Sequence, residues 1–120
     1  MQVANLEKEM HLQIYTIDTA DYRAVLLNMK QTLWQDLNVR QAFSYAVDRK
    51  QIVDGILKEF GTEAYSPLQK HSFSKEDIEK YEFNLDKANN LLDKAGWVTE
   101  NDGFRYKNGE KLAFAITAPI

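Results

Sequence analysis

Side chains that could do chemistry are scattered along this sequence, and their spacing does not match a catalytic pattern. Ser44 and Asp48 lie four residues apart, which places both on one face of a helix. A serine nucleophile also needs a base, but no histidine is near in sequence and no Gly-x-Ser-x-Gly motif is present. We therefore interpret Ser44 as a solvated helix residue.

Metal and acid–base chemistry have equally little support. The two histidines, His11 and His71, are far apart, and neither has a carboxylate at a recognisable ligand spacing. Carboxylates cluster at Glu76–Glu79 and again at Glu100 and Asp102, but catalytic acid pairs must face each other in a cleft. Runs of charge are usually solvated surface. We expect no catalytic residue, no metal, no cofactor and no enzymatic activity.

Composition favours a folded domain of 120 residues with 44% hydrophobic and 12% aromatic residues. The net charge of -3 is mild and the charges are interspersed, so a nucleic-acid partner is not expected. The absence of cysteine excludes disulfides and thiolate metal sites. No apolar run approaches the ~20 residues of a membrane span, and the first residues lack a signal-peptide pattern. The chain is therefore expected to be either cytosolic or a piece of a longer exported protein.

The stretch from Val39 to Leu57 predicts two helices that meet at a joint. Its first apolar residues recur three and four apart, and Asp36 or Asn38 can cap a helix that starts near Leu37. Asp48 is expected to cap a second helix, since Gln51 stands at capping-box spacing. Arg40 and Arg49 are available to pair with nearby carboxylates or with helix-end carbonyls.

Weaker patterns fill the rest of the chain. Gly61 should end the second helix, and Gly55 inside it suggests close approach of a neighbouring element. A third good helix is expected to begin at Asn84 or Asp86 and to stop at Gly96. The remaining predictions are short helices at Val3–Met10 and Ser74–Tyr81, strands within His11–Thr19 and Tyr22–Met29, and a hairpin turn at Asn108-Gly109. The element order indicates an α+β fold with short antiparallel hairpins.

The predicted joint also carries a family resemblance. Asn28 and the later motif D-x-x-V-R-Q-A-x-x-Y-A-x-D-R-x-x-I-V, which begins at Asp36, resemble a signature of the family 5 extracellular solute-binding proteins. This family includes the oligopeptide-, dipeptide- and nickel-binding components of ABC importers. GTEAYSPL from Gly61, YEFNLDKANNLLDKAGW from Tyr81 and the hairpin Asp102–Phe114 resemble it too. Leu85 and Asp86 replace the family's usual Asp-Pro, which affects helix capping.

The resemblance implies a fold and a function. The chain would be a single partial domain, residues 1–120, from the second large lobe of a two-lobed periplasmic-binding-protein-like fold. The whole protein would be an exported, membrane-anchored lipoprotein of the periplasm or the extracellular face. It would capture oligopeptides or dipeptides in the cleft between its lobes and deliver them to a membrane permease. Nickel chelates or other small solutes are the alternative ligands within the family.

The resemblance also suggests site residues. The predicted strand that contains Tyr22, Arg23 and Asn28 resembles the family strand near the cleft, so we expect these three residues to contact ligand. Arg40, Asp48 and Trp97 match the family motifs, and we expect them to be architectural. Among other aromatic residues, Tyr15 and Tyr65 could also line a cleft.

Two rival interpretations remain from other classes. A small independent enzyme is disfavoured because the sequence lacks a nucleophile motif, a metal cluster and a phosphate loop. A stand-alone interaction domain on the same scaffold is the stronger rival. A truncated lobe should expose apolar surface and strand edges, so we expect the chain to self-associate.

Overall fold

The computed structural model describes residues 11–15, 17, 19, 21–57, 60–67 and 78–118. The regular elements within these ranges are short helices followed by a small sheet. In chain order they are α1 (Thr32–Gln35), α2 (Leu37–Ala46), α3 (Arg49–Ile52), a π-helical turn (Val53–Leu57), α4 (Leu85–Lys94), β1 (Val98–Thr99), β2 (Arg105–Lys107) and β3 (Glu110–Lys111). Helices and a separate antiparallel sheet confirm the predicted α+β class.

Helix α2 begins where a side chain satisfies its first backbone donors. The Asp36 carboxylate accepts a hydrogen bond from the Asn38 backbone N–H at 2.8 Å, so Asp36 is the cap and Asn38 is not. Val39 and Ala42, one turn apart, are fully buried. The predicted apolar face is therefore the face that packs, although Ala46 at its end is exposed.

The predicted joint follows α2 directly. Val47 is extended, and the Asp48 carboxylate then accepts a hydrogen bond from the Gln51 N–H at 2.8 Å to cap α3. The helical turns that follow are π-helical from Val53, which the sequence did not indicate. An added Cβ on Gly55 would meet no atom within 4 Å, so the predicted close approach is wrong for the described part of the chain.

Helix α4 packs against α2 and is fixed to it at one end. The Asn84 side chain accepts from the Lys87 N–H at 2.9 Å, and the Asn84 backbone N–H donates to the Tyr45 carbonyl at 2.9 Å. Ala88 is buried against the neighbouring helix layer. Gly96 has a φ of +83° just beyond the helix, which a residue with a side chain rarely adopts. The predicted cap and stop are both confirmed.

The sheet follows α4 as an antiparallel meander in the order β1-β2-β3. Its register pairs Val98 with Tyr106 and Tyr106 with Lys111. Asn108 and Gly109 have φ values of 53° and 79°, the double positive φ that a type I′ turn requires. The predicted hairpin is thus confirmed, and β1 extends it by one strand.

A small core lies where α1, α2 and α4 meet. The buried residues Trp34, Val39 and Ala95 form its centre. Partly buried side chains surround this centre: Leu27, Leu33, Phe43, Leu92 and Trp97. The Trp34 ring also makes edge contacts with Phe43 and Phe114, at centroid distances of 4.9 and 5.5 Å. The aromatic cluster therefore connects the helices to the chain that follows the sheet.

The two N-terminal strand predictions are wrong for the described residues. Residues 11–15 and 21–29 have no strand pairing, and nearly all of their side chains are exposed. A strand needs a neighbour for its backbone hydrogen bonds, and alternating apolar residues do not supply one. The predicted helix at Val3–Met10 lies outside the described residues, as does residue range 74–77, and Ile78–Tyr81 are not helical.

The chain is extended for its mass. Its accessible surface is 10792 Å², whereas a self-contained monomer of this mass exposes about 6,700 Å². The Cα radius of gyration is 18.8 Å, whereas about 14 Å is usual for this length. Much apolar surface is consequently left uncovered. Among the described residues, no helix is long and apolar enough to cross a bilayer.

The Asp48 cap gives a first prediction. Asp48→Ala removes the acceptor for the Gln51 N–H and should lower the free energy of unfolding by about 1 kcal/mol. Urea titration followed by far-UV circular dichroism measures this change. Asp48→Asn is the matched control and should stay near the wild-type midpoint, because asparagine also caps well. Equal midpoints for all three proteins would contradict the cap's contribution.

The hairpin gives a second prediction, which concerns pH. The Asp102 carboxylate accepts from the Phe104 N–H at 3.0 Å and from the Tyr106 hydroxyl at 2.8 Å. The bond from the Phe104 N–H has the larger effect, and together the two bonds lower the pKa of Asp102. The hydroxyl bond to Asp102 in turn raises the pKa of Tyr106. The stabilisation from Asp102 is therefore present above the carboxyl's usual pKa near 3.8 and is lost as the pH falls through the lowered value.

NMR titration of the Asp102 carboxyl carbon tests this prediction. Tyr106→Phe removes one of the two donors and should move the pKa of Asp102 upward, towards its usual value. The Phe104 N–H remains, so the pKa should not return fully. An Asp102 titration that is identical in the two proteins would show that the hydroxyl contact has no effect.

Candidate ligand-binding segment

Residues 21–29, which contain the three predicted ligand contacts, lie directly before α1. Their end is fixed by a turn in which the Gln31 N–H donates to the Asn28 carbonyl at 3.0 Å. The Asn28 side-chain oxygen accepts from the Lys30 N–H at 3.1 Å, and the Gln35 amide donates to the Met29 carbonyl at 3.3 Å. The segment therefore enters the helical layer in a defined direction.

Trp34 and Arg40 hold the turn against that layer. The Trp34 indole N–H donates to the Gln31 side chain at 3.2 Å while its ring lies in the core. The Arg40 guanidinium, which projects from α2, donates to the Trp34 and Gln35 carbonyls at 2.7 and 2.9 Å. These are the end carbonyls of α1, so Arg40 pairs with helix-end carbonyls and satisfies acceptors that the short helix leaves open.

Tyr22, Arg23 and Asn28 are all exposed. Among the described residues, the side chains of Tyr22 and Arg23 have no hydrogen-bond or ion-pair partner, and the Asn28 side chain uses its oxygen but not its NH₂ group. A phenol, a guanidinium and an amide are thus presented to solvent in one segment. They are groups that could donate hydrogen bonds to carbonyl or carboxylate oxygens of a ligand.

Tyr65 is engaged by the protein itself. The Arg49 guanidinium carbon lies 5.1 Å from its ring centroid and the Lys80 amine 5.7 Å. Its hydroxyl donates to Glu63 at 2.7 Å, and this bond together with burial raises the pKa of Tyr65. Because the ring and the hydroxyl already have partners, Tyr65 is better explained as a packing residue of this loop.

Arg49 joins that loop to two other parts of the chain. It donates to the Ser44 carbonyl at the end of α2 and to the Tyr81 carbonyl, each at 3.1 Å. The Tyr81 ring also packs edge-on against Tyr45 at 5.2 Å between centroids. The sequence predicted that Arg49 would find helix-end carbonyls, but it did not indicate that residues 60–67 and 78–84 converge on it.

Trp97 and Arg105 both contact α4. The sequence analysis did not single out Arg105. Trp97 is partly buried against the core. Arg105 donates to the Trp97 carbonyl, to Asp93 at 2.6 Å and to Asn89 at 3.0 Å, which fastens β2 to α4. The signal was present in the sequence, since Asn89 and Asp93 lie one helical turn apart on one face.

One depression in the described part of the chain lies away from the 21–29 segment. An open depression of about 440 Å³ lies at the start of α3, lined by Asp48, Lys50, Gln51, Asp54 and Gly55. Charged side chains contribute to its lining, and it shares no residue with the 21–29 segment. No group of three metal-ligating side chains occurs in the described part of the chain.

Comparison with known proteins identifies the class. Residues 1–119 match the family described as "Bacterial extracellular solute-binding proteins, family 5 Middle". The match covers nearly the whole chain. The protein therefore belongs to family 5 of the bacterial extracellular solute-binding proteins, as the motifs around Asp36–Val53 predicted.

Individual relatives agree with this assignment. The oligopeptide-binding protein AppA of Bacillus subtilis is 38% identical over 114 residues, which cover 92% of this chain and 21% of AppA. The oligopeptide-binding protein OppA of Lactococcus lactis subsp. cremoris is 35% identical over 96 residues, covering 76% of this chain and 16% of OppA. The chain thus spans about a fifth of the length of these relatives.

Solved structures are similar to the chain as well. NikZ of Campylobacter jejuni, solved in complex with Ni(L-His), superposes with a TM-score of 0.83 and 32% identity over 92% of this chain and 22% of NikZ. AppA of Bacillus subtilis, solved with a nonapeptide, gives a TM-score of 0.63 and 41% identity over 70% of this chain and 18% of AppA. The α+β architecture is therefore that of a piece of a periplasmic-type binding protein.

Arg49, which connects residues 60–67 to the joint between α2 and α3, gives a third prediction. Arg49→Lys keeps the charge but loses the guanidinium nitrogen that donates to both the Ser44 and the Tyr81 carbonyls. The free energy of unfolding should fall by about 1–2 kcal/mol. Urea titration measures it, with Lys80→Ala as the control.

Lys80 lies over the same Tyr65 ring but is exposed. Its removal should leave the urea midpoint nearly unchanged, as for most surface substitutions. If Arg49→Lys and Lys80→Ala lowered the urea midpoint by the same amount, the contact with the Tyr65 ring would account for the stabilisation. The bonds from Arg49 to the two carbonyls would then contribute little.

Proposed function

We propose that this chain is part of the substrate-binding protein of an ABC importer that captures oligopeptides or dipeptides and delivers them to a membrane permease. The observation that carries the proposal is the family match over residues 1–119, together with 38% identity to an oligopeptide-binding protein. Residues 1–120 form a single partial domain in this proposal, a segment of the second large lobe. The ligand is held in a cleft between two lobes.

The uncovered surface supports assignment to a larger lobe. The chain exposes about 4,000 Å² more than a monomer of its mass does. That difference is in the range of obligate interfaces, which resemble a divided domain core. Further strands and helices of the same lobe would cover this surface in the whole protein. Closure of two lobes around a ligand is the kind of conformational change that a transporter can recognise.

Tyr22, Arg23 and Asn28 are the proposed ligand contacts. If residues 21–29 become an extended strand in the complete lobe, Tyr22 and Asn28 share one side of it and Arg23 faces the other. A single ligand would then meet the phenol and the amide from one face. Arg23 would contact it only at the strand edge or through a local twist. Arg40, Asp48 and Trp97 are architectural in this proposal and do not touch ligand.

A nickel chelate is the second candidate ligand. The observation in its favour is the TM-score of 0.83 with NikZ, against 0.63 with AppA. The one histidine in the described ranges, His11, is exposed and belongs to no group of three metal-ligating side chains there. The sequence similarity to oligopeptide-binding relatives therefore makes peptides our first choice.

The proposed localisation follows from the family. Its members are extracellular solute-binding proteins, and we extend this to an exported lipoprotein anchored at the membrane, with no enzymatic activity. Sequencing the source DNA on both sides tests the extension. A continuing reading frame with an export signal and a lipid-anchor cysteine upstream is expected. Stop codons on both sides would contradict it and favour a stand-alone interaction domain.

A chimera gives a fourth prediction, about ligand binding. We would replace the matching segment of Bacillus subtilis AppA by this chain and measure nonapeptide binding by isothermal titration calorimetry. The chimera should bind the peptide. Asn28→Ala should weaken binding about tenfold, because a hydrogen bond to a polar ligand group contributes about 1 kcal/mol or somewhat more.

Lys30→Ala is the matched control for the chimera. It lies in the same turn and is exposed, but we do not place it at the ligand. Its affinity should equal that of the unsubstituted chimera. Equal affinities for all three proteins would remove Asn28 from the site, and a folded chimera that binds no peptide would contradict the proposed function of the segment.

A further inference from the structure

The turn between β2 and β3 carries a reactive pair of residues that the proposed function does not use. Asn108 and Gly109 form the one Asn-Gly step in the sequence. Both residues are exposed, and the Asn108 amide has no hydrogen-bond partner among the described residues. The backbone nitrogen after an asparagine can attack the side-chain carbonyl, and a glycine at that position has no Cβ to obstruct the attack.

The Gly109 nitrogen is accessible for such an attack. Gly109 lies between the two strands, and no loop hydrogen bond between described residues uses its N–H. A Cβ added to Gly109 would meet no atom within 4 Å beyond its chain neighbours. Among the described residues, therefore, neither a hydrogen bond nor a packed side chain blocks this nitrogen.

We infer that Asn108 is a site of spontaneous deamidation. The Gly109 nitrogen gives up its proton and bonds to the Asn108 Cγ, the Cγ–Nδ2 bond breaks, and ammonia leaves with that proton. Water then opens the resulting five-membered imide at either carbonyl. Opening at one carbonyl gives aspartate, and opening at the other gives isoaspartate, in which the main chain runs through the former side chain.

The closed turn protects the asparagine from this reaction. Asn108 and Gly109 have the φ values of a type I′ turn, 53° and 79°. The first central residue of such a turn has a ψ of about +30°, the mirror of the type I value. This ψ places the Gly109 nitrogen and the Asn108 Cβ on opposite sides of the Cα–C bond, whereas the imide ring requires them on the same side. The deamidation rate therefore follows the population of the opened hairpin.

The two products have different consequences for the sheet. Aspartate tolerates the left-handed conformation that position 108 requires, so the hairpin should persist. Isoaspartate adds a main-chain carbon between Lys107 and Glu110, the pair that closes the hairpin. The two-residue turn can then no longer hold the register. The bond from the Leu112 N–H to the Arg105 carbonyl, 2.8 Å long, should be lost with it.

The test incubates the 120-residue chain at mildly alkaline pH, once folded and once in concentrated urea. Peptide mapping by mass spectrometry measures conversion at each asparagine, and circular dichroism checks that the first sample is folded. Asn108 should convert in both samples, about tenfold faster in urea because the hairpin is open there. Asn101 is the internal control, since it is exposed in the β1–β2 turn but is followed by Asp102. It should keep its amide while half of Asn108 converts.

These rates can overturn each part of the inference. An unreacted Asn108 in urea, or conversion of Asn101 at the same rate, would remove Asn108 as a distinct deamidation site. A folded sample that reacts as fast as the one in urea would show that the turn gives no protection.

Gly109→Ala tests the attacking group. In urea the turn does not contribute, so the added Cβ alone should slow conversion of Asn108 by about tenfold. An unchanged rate in urea would indicate direct hydrolysis of the amide and contradict attack by the Gly109 nitrogen.

Amide hydrogen exchange at Leu112 separates the two products. The aspartate and isoaspartate forms are isolated by chromatography, with Asn108→Asp as the standard for the first. Exchange at Leu112 should be as slow in the aspartate form as in the unmodified chain, and faster in the isoaspartate form. Equal protection in both forms would contradict the predicted loss of register. None of these measurements involves a ligand, so the proposed transport function keeps its own test.

Discussion

The rest of the structure depends on the burial of Trp34. Its ring packs edge-on against Phe43 of α2 and Phe114 beyond the sheet, and its neighbours in the core include Val39 and Ala95. Four parts of the chain therefore meet on one side chain. With few fully buried residues in the described ranges, removal of so large a ring would cost several kcal/mol, about 3–5 for aromatic-to-alanine changes. Such a loss is a large share of the stability of a small domain.

Three arginines add polar contacts between the segments that the small core holds together. Arg40, Arg49 and Arg105 each donate to backbone carbonyls at the end of a helix or just beyond it. Of these three arginines, only Arg105 also forms an ion pair with a described residue, Asp93. A guanidinium can serve several acceptors at once, whereas a surface ion pair contributes little. The polar contacts thus fix the ends of short helices that hydrophobic burial alone would leave loosely placed.

What the sequence could predict was local. The caps at Asp36, Asp48 and Asn84 and the turn at Asn108-Gly109 depend on residues within a few positions, and all four were confirmed. The strands predicted within His11–Thr19 and Tyr22–Met29 failed in the described residues, because strand pairing depends on residues far away in the sequence. The π-helical turn and the convergence on Arg49 were not foreseen, since both depend on packing. The assignment of Tyr22, Arg23 and Asn28 to a ligand remains a prediction.

The same distinction explains why the candidate site, residues 21–29, has no helix or strand in the described architecture. Helices close their own backbone hydrogen bonds, so α2 and α4 need only a small core to persist. A cleft strand must leave one face for a ligand and must therefore obtain its stability from sheet neighbours on either side. Of residues 21–29, only Leu27 is partly buried, because its side chain packs against the helical core. Strand pairing would fix the positions of Tyr22 and Asn28. The free energy of ligand binding would therefore be coupled to the free energy of strand pairing in the complete lobe.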